Sequence, residues 1–323
     1  MVLILSEDEI RDLVDLAELV DVVCEALVNG AAGETVRPDR PQFPVGQGLD
    51  GDGPLGTGLT MPAYIHGEPH YATKLVGIHE GNVDRGLPTI HAQLALTDAR
   101  TGRPAAYMGG TTLTNARTGC IGAGAVRALA PEAATLGVLG TGAQARWQTR
   151  AIDTVAPLSG VRVYSPTDSR EACAAELREE GIPAMAVDSP DAAVEDADVV
   201  VTATTATAPV FPPESLPAGA LVVAIGAYTA ETQELAPAVV EDAGAVFADV
   251  PEEVAATGDV RGTSLGVEDL VPMGRLLATG AGADSAKGTC VVASVGSAVL
   301  DAAAGARLYE RARDAGIGTE VSL

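Results

Sequence analysis

The sequence TLGVLGTGAQARWQTRAIDTVAPLSGVRVYSPT, residues 135–167, decides the fold of this chain. It opens with a short apolar segment, continues through a glycine-rich turn into helix-forming residues, and ends with a second apolar segment, VRVY (161–164). Strand, glycine turn, helix and strand in this order form the dinucleotide-binding unit of α/β proteins. The sequence therefore predicts a parallel sheet that binds a dinucleotide at this turn.

The glycine turn carries the residues that we expect to approach a pyrophosphate. Gly140 permits the tight turn after the first strand, and Gly142 lets the phosphates come close to the backbone. Ala145 stands where a third glycine is usual and is small enough for close helix–strand packing. The helix N-terminus then presents free N–H groups to the phosphates. The residues predicted to bind the cofactor here are Gly140, Thr141, Gly142, Ala143 and Gln144.

Strands and helices alternate along the chain after this unit. Apolar segments at 198–205, 221–228 and 245–250 are separated by helical stretches, a pattern typical of a doubly wound parallel sheet. Ligands of such sheets bind at the carboxyl ends of the strands. We therefore expect Thr204 and Thr205, which end the first of these segments, to contact the cofactor.

The residues before the glycine turn follow a different pattern. A capping box at Ser6 and an apolar stripe predict one helix over 6–30, and a loop rich in glycine and proline follows at 33–58. Four strand-like segments then lie between 59 and 109. This strand-rich block is a candidate for substrate binding or dimerisation.

Two domains are expected from the length of 323 residues. The fold class predicted is α/β, with a Rossmann-type doubly wound parallel sheet in one domain and a strand-rich α+β arrangement in the other. Residues 118–289 are predicted to form the dinucleotide-binding domain. Residues 1–117, completed by a C-terminal helical segment at 290–323, are predicted to form the substrate-binding and dimerisation domain.

Composition limits the partners of the chain. The 44 acidic and 20 basic residues give a net charge of −24, which argues against nucleic acid and anionic membranes as partners. No apolar run reaches the roughly 18 residues of a membrane span, and the N-terminus lacks the features of a signal peptide. The four cysteines form no CxxC pair, so we expect reduced thiols and a cytoplasmic protein.

Lysine is nearly absent from this acidic chain. Only Lys74 and Lys287 are present, and the excess of carboxylates resembles that of halophilic proteins from a high-salt cytoplasm. Lys74 lies inside the apolar segment YATKLVGI (71–78), where a lysine is unusual and therefore indicates a specific role. The four histidines form no HExxH motif, and no metal site is predicted.

Segments spread along the chain match those of one known family. They are MPAY (61–64), TKLV (73–76), GN (81–82), LPT (87–89), TDARTG (97–102), LTNARTG (113–119), GTGAQA (140–145), ADVVVTATT (197–205), AIGA (224–227), QEL (233–235) and SVGSAVLD (294–301). In their order and spacing, these segments make the chain resemble the ornithine cyclodeaminase/mu-crystallin family along nearly its whole length.

The resemblance implies an enzyme that uses NAD or NADP to move hydride to or from the α-carbon of a small amino acid, and it implies a homodimer. It places Lys74 beside the substrate's α-carbon, where a lysine of lowered pKa acts as acid and base. It places Arg117, followed by Thr118, on the substrate carboxylate, which a guanidinium holds through two hydrogen bonds.

Two further substrate contacts are implied by the resemblance. Members of the family carry a second carboxylate-binding arginine in a Pro-x-Arg loop. Pro38-Asp39-Arg40 fits this pattern, so we choose Arg40 over Arg37. Thr89 matches a threonine that stands beside the lysine.

The chain departs from the cyclodeaminases of this family at Tyr228. Those enzymes carry an aspartate at this position, which interacts with the distal amine of the substrate. A phenol cannot pair with an ammonium group as a carboxylate does, so the sequence favours a substrate without a distal amine. Asp249 and Glu231 remain candidates to replace that aspartate.

The end of the second strand leaves the choice between NAD and NADP open. An acidic residue there would bind the ribose hydroxyls of NAD, and an arginine would favour the phosphate of NADP. Ser165 and Thr167 are expected to contact either form. Asp168 comes one residue late, and Arg170 is in position to approach a phosphate.

These observations favour an NAD(P)-dependent amino-acid dehydrogenase or ketimine reductase, similar in activity to alanine dehydrogenase. Its substrate would be a small amino acid or the corresponding keto or imino acid. Ornithine cyclodeaminase, which converts ornithine to proline and ammonia, is the alternative enzyme. A non-catalytic NAD(P)-binding protein is the alternative from another class, and the presence of Lys74 together with Arg117 argues against it.

Overall fold

The computed structural model describes residues 1–280 and 288–322, and Lys287 lies outside this part of the chain. The chain divides into two compact units, which we call unit 1 and unit 2. Unit 1 comprises Met1–Asp15, Gly33–Arg117 and Ala298–Leu323, and unit 2 comprises Leu16–Ala32 and Thr118–Ser297. Among the described residues, every helix is too short or too polar to span a bilayer.

Both units contain a large sheet. The strands in chain order are β1 (Val2–Leu5), β2 (Thr35–Val36), β3 (Gln42–Val45), β4 (Gly56–Ile65), β5 (His70–Ile78), β6 (Ile90–Asp98), β7 (Pro104–Gly109), β8 (Thr135–Leu139), β9 (Gly160–Tyr164), β10 (Ala184–Ala186), β11 (Val199–Thr202), β12 (Leu221–Ala224), β13 (Ala245–Ala248), β14 (Leu270–Pro272), β15 (Cys290–Ala293) and β16 (Thr319–Val321). The α-helices in chain order are α1 (Glu7–Leu13), α2 (Leu16–Ala31), α3 (Thr111–Leu129), α4 (Ala143–Val155), α5 (Ser169–Glu179), α6 (Pro190–Val194), α7 (Pro237–Glu241), α8 (Pro251–Val254), α9 (Gly258–Arg261), α10 (Met273–Thr279) and α11 (Ala298–Ala315).

Unit 2 is built on a parallel sheet with the strand order β10-β9-β8-β11-β12-β15-β13-β14. The chain runs outward from β8 to β10 and then returns to β11 on the other side of β8. The strands β11 (VVVT) and β12 (LVVA) are buried at every position, which is typical of parallel strands covered on both faces. The predicted doubly wound parallel sheet and the fold class are therefore confirmed.

Unit 1 is built on a mostly antiparallel sheet with the order β16-β1-β7-β6-β5-β4-β2, and β3 also pairs with β4. The strands β4 to β7 are antiparallel neighbours, whereas β1 joins β7 in parallel. Helix α11 packs on β4, β5 and β6. Over part of β4, β5 and β6, buried residues alternate with more exposed ones, so the sheet has one covered face and one more exposed face.

The N-terminal helix differs from the prediction. The structure has two helices, α1 and α2, because the backbone turns extended at Val14. Their apolar stripes pack in different units: α1 lies against β7 and α11, whereas α2 lies against α4 and α10. One straight helix could not pack against both of these surfaces. As a result α2 belongs to unit 2, although the predicted range 1–117 includes it.

The C-terminal segment also differs from the predicted range. Residues Cys290–Ala293 form β15, which lies between β12 and β13 in the parallel sheet of unit 2. All four residues are buried, which suits an interior strand. The final helix, α11, begins only at Ala298, and from there the chain belongs to unit 1.

Several short strands were not expected from the sequence. The predicted loop at 33–58 contains β2 and β3, and the two ends of the chain form β1 and β16. Strands of two to four residues are too short to show a clear alternation of apolar and polar side chains. Their pairing becomes evident only in the folded sheet, where β2 and β3 join β4, β1 joins β7, and β16 joins β1.

The contact between α2 and α10 is close enough to require a glycine. A Cβ atom on Gly274 of α10 would overlap the carbonyl oxygen of Leu27 and lie 2.7 Å from Ala31 Cβ. Because the obstacle is backbone, a side chain cannot rotate away to relieve it. By contrast, a Cβ on Gly30 of α2 would have no neighbour within 4 Å.

We expect these two glycines to respond oppositely to the same substitution. Gly274→Ala should lower the free energy of unfolding by about 1–3 kcal/mol, the usual cost of overpacking. Gly30→Ala should raise it by up to about 1 kcal/mol, because alanine is the better helix former. Urea denaturation of both variants measures the difference. Equal changes in the two variants would contradict the close α2–α10 contact.

Candidate active site

Lys74 lies at the centre of the candidate active site in unit 1. It sits on β5 between Met61 of β4 and Leu94 of β6, and it is 2% exposed. Its Nζ atom lies 2.6 Å from Asp301 Oδ2 and 3.4 Å from Thr114 Oγ1. A buried ammonium group requires a counter-charge, and Asp301 supplies it.

Asp301 also binds Arg117, so that one carboxylate bridges two cations. Arg117 Nε donates to Asp301 Oδ1 at 2.9 Å, and the side chains of both residues are almost fully buried. We call Lys74, Asp301 and Arg117 the buried triad. When all three groups are ionised, the triad carries one net positive charge. The buried triad therefore has a surplus of charge that suits an anionic ligand.

One N–H donor of Arg117, at Nη1, is available to such a ligand. Its Nη1 atom is buried, and no described residue accepts a hydrogen bond from it. Carboxylates prefer to bind a guanidinium through two parallel hydrogen bonds. Arg40, which precedes β3, is half-buried, and its positive charge acts on Lys74. The structure thus brings Lys74, Arg40 and Arg117 together, as the sequence predicts for a carboxylate-binding site.

The pKa of Lys74 falls from its usual value to about 8. Burial is the largest cause, because it disfavours the charged ammonium form. The negative charge of Asp301 opposes this effect, whereas the positive charges of Arg117 and Arg40 add to it. Lys74 can therefore gain or lose a proton near neutral pH, as a general acid and base must.

Asp301 stays ionised in the same surroundings. Burial acts to raise the pKa of its carboxyl group, but the Arg117 and Lys74 cations outweigh burial and hold the pKa below its usual range. Sequence reasoning missed this residue, although it ends the matched segment SVGSAVLD. The signal that identified Lys74 would have found it too, since Asp301 is a charged residue among apolar helix residues.

Helix α3 carries two of the groups around Lys74, and Glu7 fixes where that helix begins. The Glu7 carboxylate accepts hydrogen bonds from Thr111 N and Thr112 N, both at 2.8 Å. A carboxylate at a helix N-terminus satisfies free N–H groups and favours the helix dipole. Glu7 thereby helps to position Thr114 and Arg117, which lie three and six residues after Thr111 on the same helix.

One residue predicted to bind the substrate, Thr89, stands apart from this arrangement. Thr89 lies just before β6, next to the pair Ile78–Ile90, and its carbonyl accepts from His79 N at 2.8 Å. Thr89 lies opposite His79, five residues from the Lys74–Leu94 pair, which is roughly 16 Å at the usual rise per residue. The structure therefore does not bring Thr89 beside Lys74. Thr118 follows Arg117 on α3, is 7% exposed, and accepts from Gln148 Nε2 at 2.8 Å through its carbonyl.

The glycine turn in unit 2 has the form that a pyrophosphate requires. Gly140 has a φ of 113°, and a Cβ there would overlap the carbonyl oxygen of Ala203. Gly142 is the N-cap of α4, and a Cβ there would meet open space. Ala143, exposed, and Gln144, half-buried, begin α4. The turn thus leaves room above free N–H groups of a 13-residue helix.

Hydroxyl groups meet at the end of β9. Ser165 Oγ lies 3.3 Å from Thr167 Oγ1, which lies 2.7 Å from Ser169 Oγ. Ser169 Oγ in turn lies 2.7 Å from Thr141 Oγ1 of the glycine turn. The structure therefore brings Ser165, Thr167 and Thr141 together, although the sequence did not identify Ser169 as part of this group.

Thr204 and Thr205 follow β11 in a loop that Glu234 holds. Glu234 is fully buried and accepts from Thr204 N at 2.6 Å, Thr202 Oγ1 at 2.8 Å and Gly226 N at 2.7 Å. Thr204 is half-buried and Thr205 is exposed. Glu234 thus ties together the loops after β11 and β12, at the strand ends where ligands of parallel sheets bind.

Of the two candidates to replace the cyclodeaminase aspartate, Glu231 is exposed and close to Tyr228 in the sequence, whereas Asp249 binds other groups. Tyr228 is 54% exposed. Asp249 is occupied with holding the segment before α11: its carboxylate accepts from Ser294 Oγ at 2.7 Å, Gly296 N at 2.8 Å and Val295 N at 3.1 Å. Asp249 therefore does not replace the missing aspartate. Among the described residues, no group of His, Cys, Asp or Glu is arranged to hold a metal ion.

The parallel sheet and its open glycine turn make this chain a dinucleotide-binding α/β protein. More narrowly, the chain belongs to the ornithine cyclodeaminase/mu-crystallin family, whose model matches residues 2–316. The family resemblance seen in the sequence is therefore confirmed.

Three relatives illustrate the similarity. The Δ1-pyrroline-2-carboxylate reductase of Bacillus cereus is 31% identical over 331 aligned positions, which cover 99% of this chain and all of the relative. The solved structure of Thermococcus litoralis Δ1-pyrroline-2-carboxylate reductase with NADH and L-proline is 28% identical, covers 99% of this chain and 100% of that one, and has a TM-score of 0.90. An archaeal alanine dehydrogenase dimer with bound NAD is 27% identical, covers 100% and 99%, and has a TM-score of 0.88.

The pKa of Lys74 can be measured directly because the chain has only two lysines. Labelling with [ε-13C]lysine gives two NMR signals, and a Lys287→Arg variant assigns them. We expect the Lys74 signal to titrate near pH 8. In Asp301→Asn the midpoint should fall further, because the charge that raises the pKa of Lys74 is removed. A midpoint near the ordinary lysine value would contradict the buried triad.

Proposed function

We propose that this protein is an NAD(P)-dependent oxidoreductase that moves hydride to or from the α-carbon of a small amino acid or its imine. The observation that carries this proposal is the buried triad, in which Asp301 holds a lysine of lowered pKa next to an arginine with an unused donor. The relatives support it, since they include reductases of a cyclic imino acid and an alanine dehydrogenase.

Arg117 and Arg40 bind the substrate carboxylate in this proposal. The free Nη1 donor of Arg117 lies in a buried, low-dielectric site, where a charge-assisted hydrogen bond is strong. Asp301 fixes the guanidinium from its Nε side and so determines its orientation. The carboxylate ligand would also balance the net positive charge of the buried triad.

Lys74 handles the proton on the substrate nitrogen. In the oxidative direction, neutral Lys74 accepts a proton from the substrate ammonium group, because the nitrogen lone pair must be available as the carbon loses hydride. In the reductive direction, the Lys74 ammonium group donates a proton to the imine nitrogen and makes the α-carbon more electrophilic. Bound NAD(P) supplies the hydride acceptor or donor.

The glycine turn of unit 2 fits the cofactor's pyrophosphate. Arg146 stabilises the turn, because its Nη1 atom donates to the Thr141 carbonyl and, at 3.3 Å, to the Gly142 carbonyl. These bonds use carbonyl groups and leave the N–H groups at the start of α4 to the phosphates. Thr204 and Thr205 would contact the cofactor from the loop after β11.

The proposed substrate has no distal amine. Tyr228 stands where the cyclodeaminases have their aspartate, and Asp249 is saturated by backbone and hydroxyl donors. Alanine and small cyclic or acyclic imines meet this condition, whereas ornithine does not. Ornithine cyclisation is therefore disfavoured as the main reaction.

We also propose that the protein is cytoplasmic, which agrees with its four free thiols.

We further propose that the protein is a homodimer formed through the exposed face of the unit 1 sheet. The outward positions of β4 to β7 are uncharged in a chain with 44 acidic residues. They include Thr60, Pro62, Tyr64, Tyr71, Thr73, Leu75, Gln93, Ala95, Ala105 and Tyr107. Apolar faces of this kind mark protein–protein contacts, and the archaeal alanine dehydrogenase is a dimer.

The proposed activity predicts oxidation of reduced nicotinamide, followed by its absorbance, with Δ1-pyrroline-2-carboxylate or with pyruvate plus ammonium. Lys74→Met should lower kcat/KM by about 10²- to 10⁴-fold, the usual contribution of a general acid or base. Imine reduction should decline as pH rises through about 8, since protonated Lys74 is lost. Amino-acid oxidation should rise over the same range.

Other outcomes of this assay would assign other functions. Proline and ammonia formed from ornithine, without net change in absorbance, would identify a cyclodeaminase and refute the inference from Tyr228. Tight cofactor binding without turnover of any substrate would identify a binding protein. An unchanged kcat/KM in Lys74→Met would remove Lys74 from the reaction.

The dimer predicts a light-scattering mass of twice that of the chain. Leu75→Glu places a charge at a position that is 39% exposed in the isolated chain, and it should yield monomers because a buried, unpaired charge is costly. Met185→Glu on the edge strand β10 is the matched control, since this residue is also exposed and apolar. A monomeric wild-type protein, or equal effects of both variants, would refute this interface.

A further inference from the structure

We infer that this protein selects NADP(H) over NAD(H), through a 2′-phosphate site built from Ser165, Thr167, Ser169 and Arg170 at the end of β9. The inference rests on the proposed function, because it specifies the cofactor that the glycine turn accepts. The chemical class of ligand is a phosphate monoester on the adenosine ribose.

The site lies where Rossmann-type proteins recognise the adenosine ribose. Ser165 is the first residue after β9, the second strand of the dinucleotide unit, and it is 8% exposed. NAD-selecting proteins carry a carboxylate near this position, because it accepts hydrogen bonds from the ribose hydroxyls. Such a carboxylate would repel a phosphate. Ser165 offers a hydroxyl instead, which can donate to a phosphate oxygen.

The neighbouring hydroxyls form a connected group of donors. Ser169 Oγ lies 2.7 Å from Thr167 Oγ1 and 3.4 Å from Ser165 Oγ, so that three hydroxyls converge at the start of α5. Thr141 Oγ1, 2.7 Å from Ser169 Oγ, connects them to the glycine turn. The hydroxyl group that would contact the ribose and the turn that would contact the pyrophosphate are thus adjacent, as the ribose and the pyrophosphate of one adenosine diphosphate group require.

Arg170 supplies the positive charge. Its Nη1 atom donates to the carbonyl of Ser165 at 3.1 Å, which holds the guanidinium at the strand end. Its Nε atom is buried and has no acceptor among the described residues. A guanidinium in this position favours a dianionic phosphate over a neutral hydroxyl.

Two carboxylates lie near this group, and neither occupies the position of a ribose acceptor. Asp188 pairs with Arg170 Nη2 at 3.1 Å, but it is 98% exposed, so water screens its charge. Asp168 is exposed at the N-cap of α5 and makes no capping hydrogen bond with its side chain. The site therefore contains a buried hydroxyl at Ser165, two exposed hydroxyls and one half-buried cation.

The test measures equilibrium binding of NADPH and NADH to the full chain by nicotinamide fluorescence at one fixed salt concentration. Adenosine 2′,5′-bisphosphate and 5′-AMP, which differ only by the 2′-phosphate, serve as competitors. We expect NADPH to bind more tightly than NADH by on the order of tenfold, the usual effect of one charge-assisted contact. The bisphosphate should likewise compete better than 5′-AMP.

Variants identify the source of the preference. Arg170→Gln should bring the ratio of the two dissociation constants toward one, and Ser165→Asp should reverse it in favour of NADH. Asp188→Asn should increase the preference for NADPH, because it removes a competing charge. Arg162→Gln is the matched control: it removes an arginine–aspartate pair from β9 itself and should leave the ratio unchanged.

Three results would overturn the inference, and they show whether the proposed function fails with it. Wild-type binding of NADH that is as tight as, or tighter than, binding of NADPH would overturn the phosphate site while leaving the proposed oxidoreductase intact. The same holds if Arg170→Gln and Arg162→Gln change the ratio equally. Binding of neither dinucleotide would overturn the proposed function together with this inference.

Discussion

The carboxylate of Asp301 holds two buried cations, and the chemistry of unit 1 depends on it. Burying an ion costs several kcal/mol, and removing one partner of a buried ion pair costs about 3–5 kcal/mol. Without this counter-charge, Lys74 at 2% exposure would be stable mainly as the neutral amine, and Arg117 would lose the acceptor that fixes its orientation. The same carboxylate limits how far burial lowers the pKa of Lys74, which keeps that pKa near 8 rather than lower still.

Carboxylates that are buried or half-buried also organise unit 2. Glu234 ties the loops after β11 and β12 together, and Asp249 holds the segment that leads into α11. Asp259 accepts from the backbone N–H groups of Glu234 and Leu235, and burial raises its pKa to about 6. Most of the 44 acidic residues increase solubility at the surface. Glu234 and Asp249 instead hold loops at the strand ends, where a parallel sheet binds its ligand.

The family to which the chain belongs shows that one fold hosts several reactions, so that the fold alone does not determine the substrate. Under the proposed function, side chains at loop positions, such as Tyr228 after β12 and Ser165 after β9, select the substrate and the cofactor. Each of these changes a local charge without altering the sheets that support it.

The sequence by itself determined the parallel sheet, its glycine turn and the family, because these depend on local patterns such as apolar strands and residue spacing. It also singled out Lys74 as a lysine inside an apolar strand. Only the tertiary structure decided what lies around that lysine. Asp301 stands 184 positions from Arg117, and α2 packs in unit 2 although it precedes the strands of unit 1. Contacts between distant segments arise from the packing of whole elements, which no local pattern encodes.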